Sequence, residues 1–122
     1  SEKIKFYYQK QLSLLSTIEM GQAKKVFQGN IKEKIIQSYT LDIVLDMGKF
    51  KNKKIDFLNI DIEGADLEAL QSINFKVYQP KIICVEIMDE IKKESLIYKF
   101  LSNLRYKKIW SSKSGFNHIF VN

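Results

Sequence analysis

Apolar and polar positions divide the chain into segments of recognisable period. Ile4 to Tyr8 (IKFYY) is β-branched and aromatic, which predicts a strand. Gln11 to Thr17 (QLSLLST) is mixed and fits neither the helical nor the strand period. From Ile18 to Phe27 the apolar residues Ile18, Ala23, Val26 and Phe27 fall near helical spacing, a pattern weakened by Gly21. Gly29-Asn30 marks a turn, and Ile31 to Tyr39 (IKEKIIQSY) reads as a strand able to pair antiparallel with IKFYY. Thr40 is placed to cap a short helix over Leu41 to Met47, with Asp42 near its positive end. Gly48 stands where a left-handed stop is expected.

The strongest pattern follows. Ile55 to Ile62 (IDFLNIDI) is apolar on both parities at its centre, as in a parallel strand buried on both faces. Gly64 turns the chain into an amphipathic helix, Ala65 to Ile73, that buries Leu67, Leu70 and Ile73. Pro80 precedes a second continuous apolar strand, Lys81 to Ile87 (KIICVEI). Strand, helix and strand at this spacing make a right-handed βαβ unit, with the two strands adjacent, parallel and central. A further helix spans about Glu90 to Asn103, with Ile91, Ile97, Phe100, Leu101 and Leu104 as its apolar stripe. Tyr106 to Ser111 and Phe116 to Val121, separated by a turn at Lys113-Ser114-Gly115, predict an antiparallel pair.

Composition narrows the class. The 122 residues are 45% hydrophobic and 12% aromatic, with five glycines and one proline, which excludes a disordered or collagenous chain. Such a chain is one domain or part of one. The lone Cys84 excludes a disulfide framework and any Cys-rich zinc module, and its place in an apolar strand predicts a buried, inert thiol. No apolar run reaches the roughly 18–20 residues of a membrane span. No signal peptide opens the chain, so a cytoplasmic location is expected. The formal charge is +6, but Arg105 is the only arginine; the lysines are spread along the chain, with small clusters at Lys24-Lys25, Lys107-Lys108 and, as KFKNKK, Lys49 to Lys54. Specific nucleic-acid readers favour arginine, whose planar fork pairs with guanine edges and phosphates. A solvated loop rim therefore describes that cluster better than a nucleic-acid surface.

The segment IDFLNIDIEGADLEAL, Ile55 to Leu70, resembles the signature of the FkbM-type methyltransferases, with Asn59 in place of the usual lysine and Asp66 in place of the usual glutamate. YTLDIVL (Tyr39 to Leu45) is similar to the TLD segment that precedes this strand in the family, and PKIICVEI (Pro80 to Ile87) to the strand that follows it. The final strand pair resembles the family's antiparallel end. The resemblance implies S-adenosylmethionine as methyl donor, a hydroxyl oxygen as acceptor on a glycan or natural product, and a Rossmann-like α/β fold. Folds of this kind hold the cofactor mainly with a Gly-rich loop in their first half. None of the glycines here (Gly21, Gly29, Gly48, Gly64 and Gly115) forms a GxG. The expectation is therefore a carboxyl-terminal portion of such an enzyme, residues 1–122, inactive alone. The alternatives are a non-catalytic binding or accessory module of the same fold, or a small basic nucleic-acid-binding domain.

Three carboxylates are the candidate catalytic groups. Asp61 and Glu63 fall at the carboxyl end of the first parallel strand and Glu86 near the end of the second, at the edge where open α/β sheets bind ligands. There a carboxylate can orient the acceptor hydroxyl, act as general base or neutralise a sulfonium. Asp61 and Gly64 are the candidate cofactor contacts, Gly64 because a residue without Cβ permits close approach. The structural alternatives are charges at the positive end of the following helix for Asp61 and Glu63, a plain turn for Gly64, and a lysine pair for Glu86. His118, beside aromatic residues in a strand, reads as a packed histidine. Trp110 and Tyr106 read as packing residues before stacking platforms. No metal site is expected.

Overall fold

The computed structural model describes residues 1–10, 15–87 and 91–122, with residues 91–95 described in their backbone alone. Residues 11–14 of the unassigned stretch, the start of the last helix at Glu90 and the side chain of Ile91 therefore lie outside the described residues.

Two sheets organise the chain. Strand β1 (Glu2–Tyr8) pairs antiparallel with β2 (Lys32–Ser38), with Ile4 opposite Ile36 and Tyr8 opposite Lys32. Helix α1 (Met20–Val26) packs on this ribbon through Ala23, and with Phe27 and Tyr7 it forms a small core. Helix α2 (Leu41–Met47) has the predicted bounds, but its ends differ from expectation. The Thr40 side chain makes no capping bond. Ser72 Oγ does so instead, accepting from Leu41 N at 2.9 Å and donating to the Ala69 carbonyl at 2.8 Å. Gly48 is extended, not left-handed. Its need for glycine is spatial, since a Cβ there would lie 3.2 Å from the Val44 carbonyl.

The second sheet holds the predicted βαβ unit: β3 (Phe57–Ile60), α3 (Asp66–Gln71) and β4 (Ile82–Glu86). Helix α4 (Ile91–Asn103), β5 (Lys107–Ser111) and β6 (Asn117–Val121) follow. Strand order is β3-β4-β6-β5; β3 and β4 are parallel, and β6 runs antiparallel to both β4 and β5. The fold class is therefore mixed α/β, with a sheet of parallel and antiparallel strands. One expectation is corrected here: β4 is internal, but β3 is the edge strand among the described residues.

The two faces of this sheet differ. Ile60, Ile83, Val85 and Phe120 are buried with Leu70 of α3 and with Ile97 and Leu101 of α4. Tyr106 closes the core at one end, where its hydroxyl donates to the Pro80 carbonyl. Leu67 lies only half-buried at its margin. The cross-strand register places Phe57, Ile82, Cys84, Ile119, Val121 and Trp110 on the opposite face. There Phe57 is 55%, Ile82 38% and Trp110 50% exposed. Cys84 is consequently half-buried, not buried as expected. His118 is buried, with Nδ1 within 2.9 Å of the Tyr98 hydroxyl and Nε2 within 2.9 Å of the Gly115 carbonyl, so it is a packed histidine. Among the described residues no helix is long and apolar enough to cross a membrane.

Candidate functional site

Parallel pairing sets the carboxyl ends of β3 and β4 at one edge of the sheet. The register that joins Ile60 to Val85 brings the residue after β3, Asp61, level with Glu86. Glu63 reaches the same place by a different route. Were Glu63 extended, strand alternation would put it on the face of Asp61. Instead Glu63 and Gly64 are consecutive left-handed residues, φ +53° and +105°, and the turn they make swings the chain towards α3. The three carboxylates still converge: one oxygen from each of Asp61, Glu63 and Glu86 lies within 4.8 Å of the others.

Such crowding raises proton affinity. Glu86, half-buried, is pushed up to about 7, first by burial and then by Asp61, which also hydrogen-bonds it, and by Glu63 and Asp66. Glu63 is raised by burial, then by Asp61 and Asp66, and its Oε2 has no hydrogen-bond partner among the described residues. The Cys84 thiol is raised by burial and by Asp61, which disfavours the thiolate needed for nucleophilic chemistry. Like charges this close oppose full ionisation of the cluster, and Glu86 holds its proton towards neutral pH. Oxygens at this spacing could also gather around one divalent cation, although acidic groups commonly sit this way without one.

Two residues that sequence reasoning did not assign hold the turn. Asp66 is buried, and its carboxylate accepts from Ile62 N at 3.4 Å and Gly64 N at 3.3 Å. Burial raises its proton affinity and those amide bonds oppose the rise. The signal is present in the sequence, an acid two residues after a glycine at a strand-to-helix turn. Thr17, also buried, donates from Oγ1 to the Glu63 carbonyl at 2.9 Å. It is 46 residues distant in sequence and falls in a stretch with no period, so nothing in the sequence pointed to it.

Gly64 forms the predicted turn. Trp110 lies half-exposed on the open sheet face, while Tyr106 is a core residue.

Comparison with protein families gives a match to the model described as the methyltransferase FkbM domain, over residues 2–108. Comparison with curated proteins and with solved structures gives no match.

Proposed function

The chain belongs to the FkbM methyltransferase domain family, and from that premise we propose that it is the carboxyl-terminal portion of a Rossmann-like, S-adenosylmethionine-dependent O-methyltransferase. The acceptor is a hydroxyl group on a glycan or other small molecule. The observation that carries this reading is the convergence of Asp61, Glu63 and Glu86 at the carboxyl edge of the parallel strands, with Glu86 pushed up to about 7. A general base works best when its proton affinity lies near the working pH. In this reading Glu86 accepts the proton of the acceptor hydroxyl as that oxygen becomes the nucleophile. Asp61 and Glu63 supply the negative charge that keeps Glu86 basic and favours a cation beside it.

S-adenosylmethionine, when bound, supplies a methyl group on a sulfonium cation. The residues present suit that charged end: an acidic trio complements a sulfonium, and Gly64 presents backbone without a Cβ. Asp61 and Gly64 would hold it there.

Two features support the reading of residues 1–122 as one portion of a domain. Among the described residues β3 is an edge strand, and the sheet face bearing Phe57, Ile82 and Trp110 is open. Parallel strands belong in sheets covered on both faces. Further strands alongside β3, and helices over the open face, complete such a sheet. The order β3-β4-β6-β5, with β6 antiparallel, suits the antiparallel end that the sequence resemblance implies.

The test is transfer of labelled methyl from S-adenosylmethionine to a panel of hydroxylated glycans and small molecules, catalysed by the product of the whole open reading frame. Glu86→Gln is expected to lower the rate by about 10²–10⁴-fold while remaining folded at the assay temperature, the usual worth of a positioned base. A folded variant with undiminished turnover overturns the assignment.

A further inference from the structure

Thr17 connects the β1–β2 ribbon to the carboxylate turn. It is 2% exposed and joined to β1 by a pair of backbone hydrogen bonds, Tyr7 N to its carbonyl at 2.8 Å and its own N to the Tyr7 carbonyl at 3.1 Å. Its hydroxyl is fully engaged. Oγ1 accepts from Glu19 N at 3.1 Å and donates to the Glu63 carbonyl at 2.9 Å. Glu63 is the residue at φ +53°, a region that side chains larger than glycine seldom occupy without outside support. Support comes from two sides. Asp66 binds the amides flanking Glu63, at Ile62 and Gly64, and Thr17 binds its carbonyl.

We propose that Thr17 is a positioning residue: its hydroxyl, anchored on β1, holds the left-handed backbone of Glu63 and thereby aims the Glu63 carboxylate at Asp61 and Glu86. The part Glu63 plays in methyl transfer rests on the reading above; the coupling itself rests on the hydrogen bonds. A buried hydroxyl replaced by a methyl takes from the Glu63 carbonyl its Thr17 partner, and the peptide after Glu63 then turns to find another. The ribbon and the acidic cluster thus behave as one unit, although the whole of α1, β2, α2 and β3 separates Thr17 from Glu63 in sequence.

The experiment is carbon-detected NMR on the labelled chain, comparing wild type, Thr17→Val and Thr17→Ser. In wild type the Glu63 amide–α-proton coupling should report positive φ, and the Thr17 hydroxyl proton should exchange slowly. In Thr17→Val the Glu63 coupling should move to a negative-φ value. The titration midpoint of the Glu86 carboxyl should then shift by about one pH unit, the ordinary spread among carboxylate environments in folded proteins. Thr17→Ser keeps the hydroxyl and should restore both signals. A folded Thr17→Val with wild-type signals at Glu63 and Glu86 overturns the proposal, as does a Thr17→Ser as perturbed as Thr17→Val. If Thr17→Val does not fold, the wild-type signals decide: a fast-exchanging hydroxyl or a negative-φ coupling at Glu63 overturns it. Failure of the functional reading shows elsewhere, as undiminished methyl transfer by Glu63→Gln while the Thr17-dependent signals stand.

Discussion

Glu86 carries its proton to about 7, against 4.5 for an ordinary glutamate, and this ties stability to pH with a definite sign. A group whose folded affinity is raised holds its proton more tightly in the native state. Its contribution is fully present below the unfolded value and is lost as pH rises through the folded one. Wild type should therefore lose melting temperature between about pH 4.5 and 7 relative to Glu86→Gln, which has no proton to lose. Parallel curves for the two proteins across that window would show that Glu86 titrates normally. Asp66 and Asp61 make a second contrast. Asp66 is buried on two amides, so Asp66→Ala should cost about 1–3 kcal/mol in denaturant unfolding, the usual penalty for stranding buried polar groups. Asp61 is exposed and adds like charge, so Asp61→Ala should leave stability level or higher at pH 8 and lower the Glu86 midpoint. A destabilised Asp61→Ala with an unmoved Glu86 would contradict this. The three converging carboxylates were legible because strand ends deliver residues to a known edge. Glu63 reaches the cluster through a left-handed turn, beyond which strand alternation no longer says where a side chain lies.

Among the elements, α2 shows how far local signals reach. Its length was readable from Thr40, Asp42 and Gly48, each a residue type suited to a helix end. Which group caps it was not, because Ser72 arrives from the end of α3. The Thr40 hydroxyl turns instead to the Asp42 carboxylate. Ser72→Ala is thus expected to cost about 0.5–2 kcal/mol in unfolding free energy, the range for loss of a helix cap, and Thr40→Ala distinctly less. Equal losses would return the cap to Thr40. The β1–β2 and β5–β6 pairs were legible as short apolar runs flanking turns or a helix. The irregularity between Lys108 and Trp110, which shifts the β5 register, left no mark in the pattern.

Across the whole molecule, one sheet face is filled by α3 and α4, and the other shows Phe57, Ile82 and Trp110 to solvent. If residues 1–122 are one portion of a cofactor-binding domain, they should bind S-adenosylmethionine weakly or not at all in calorimetry. Tight stoichiometric binding by this chain would overturn that division of labour. The sequence alone determined the βαβ unit, the antiparallel final pair and the acidic residues at the strand ends. Period, turn chemistry and β-branched content are local properties, and they act before any tertiary contact forms. Tertiary structure decided that β3 stands at an edge, that Glu63 is left-handed, and that Thr17 and Ser72 support elements far from them in sequence. Those outcomes depend on which buried polar group finds a partner across space, and a one-dimensional pattern carries no record of that pairing.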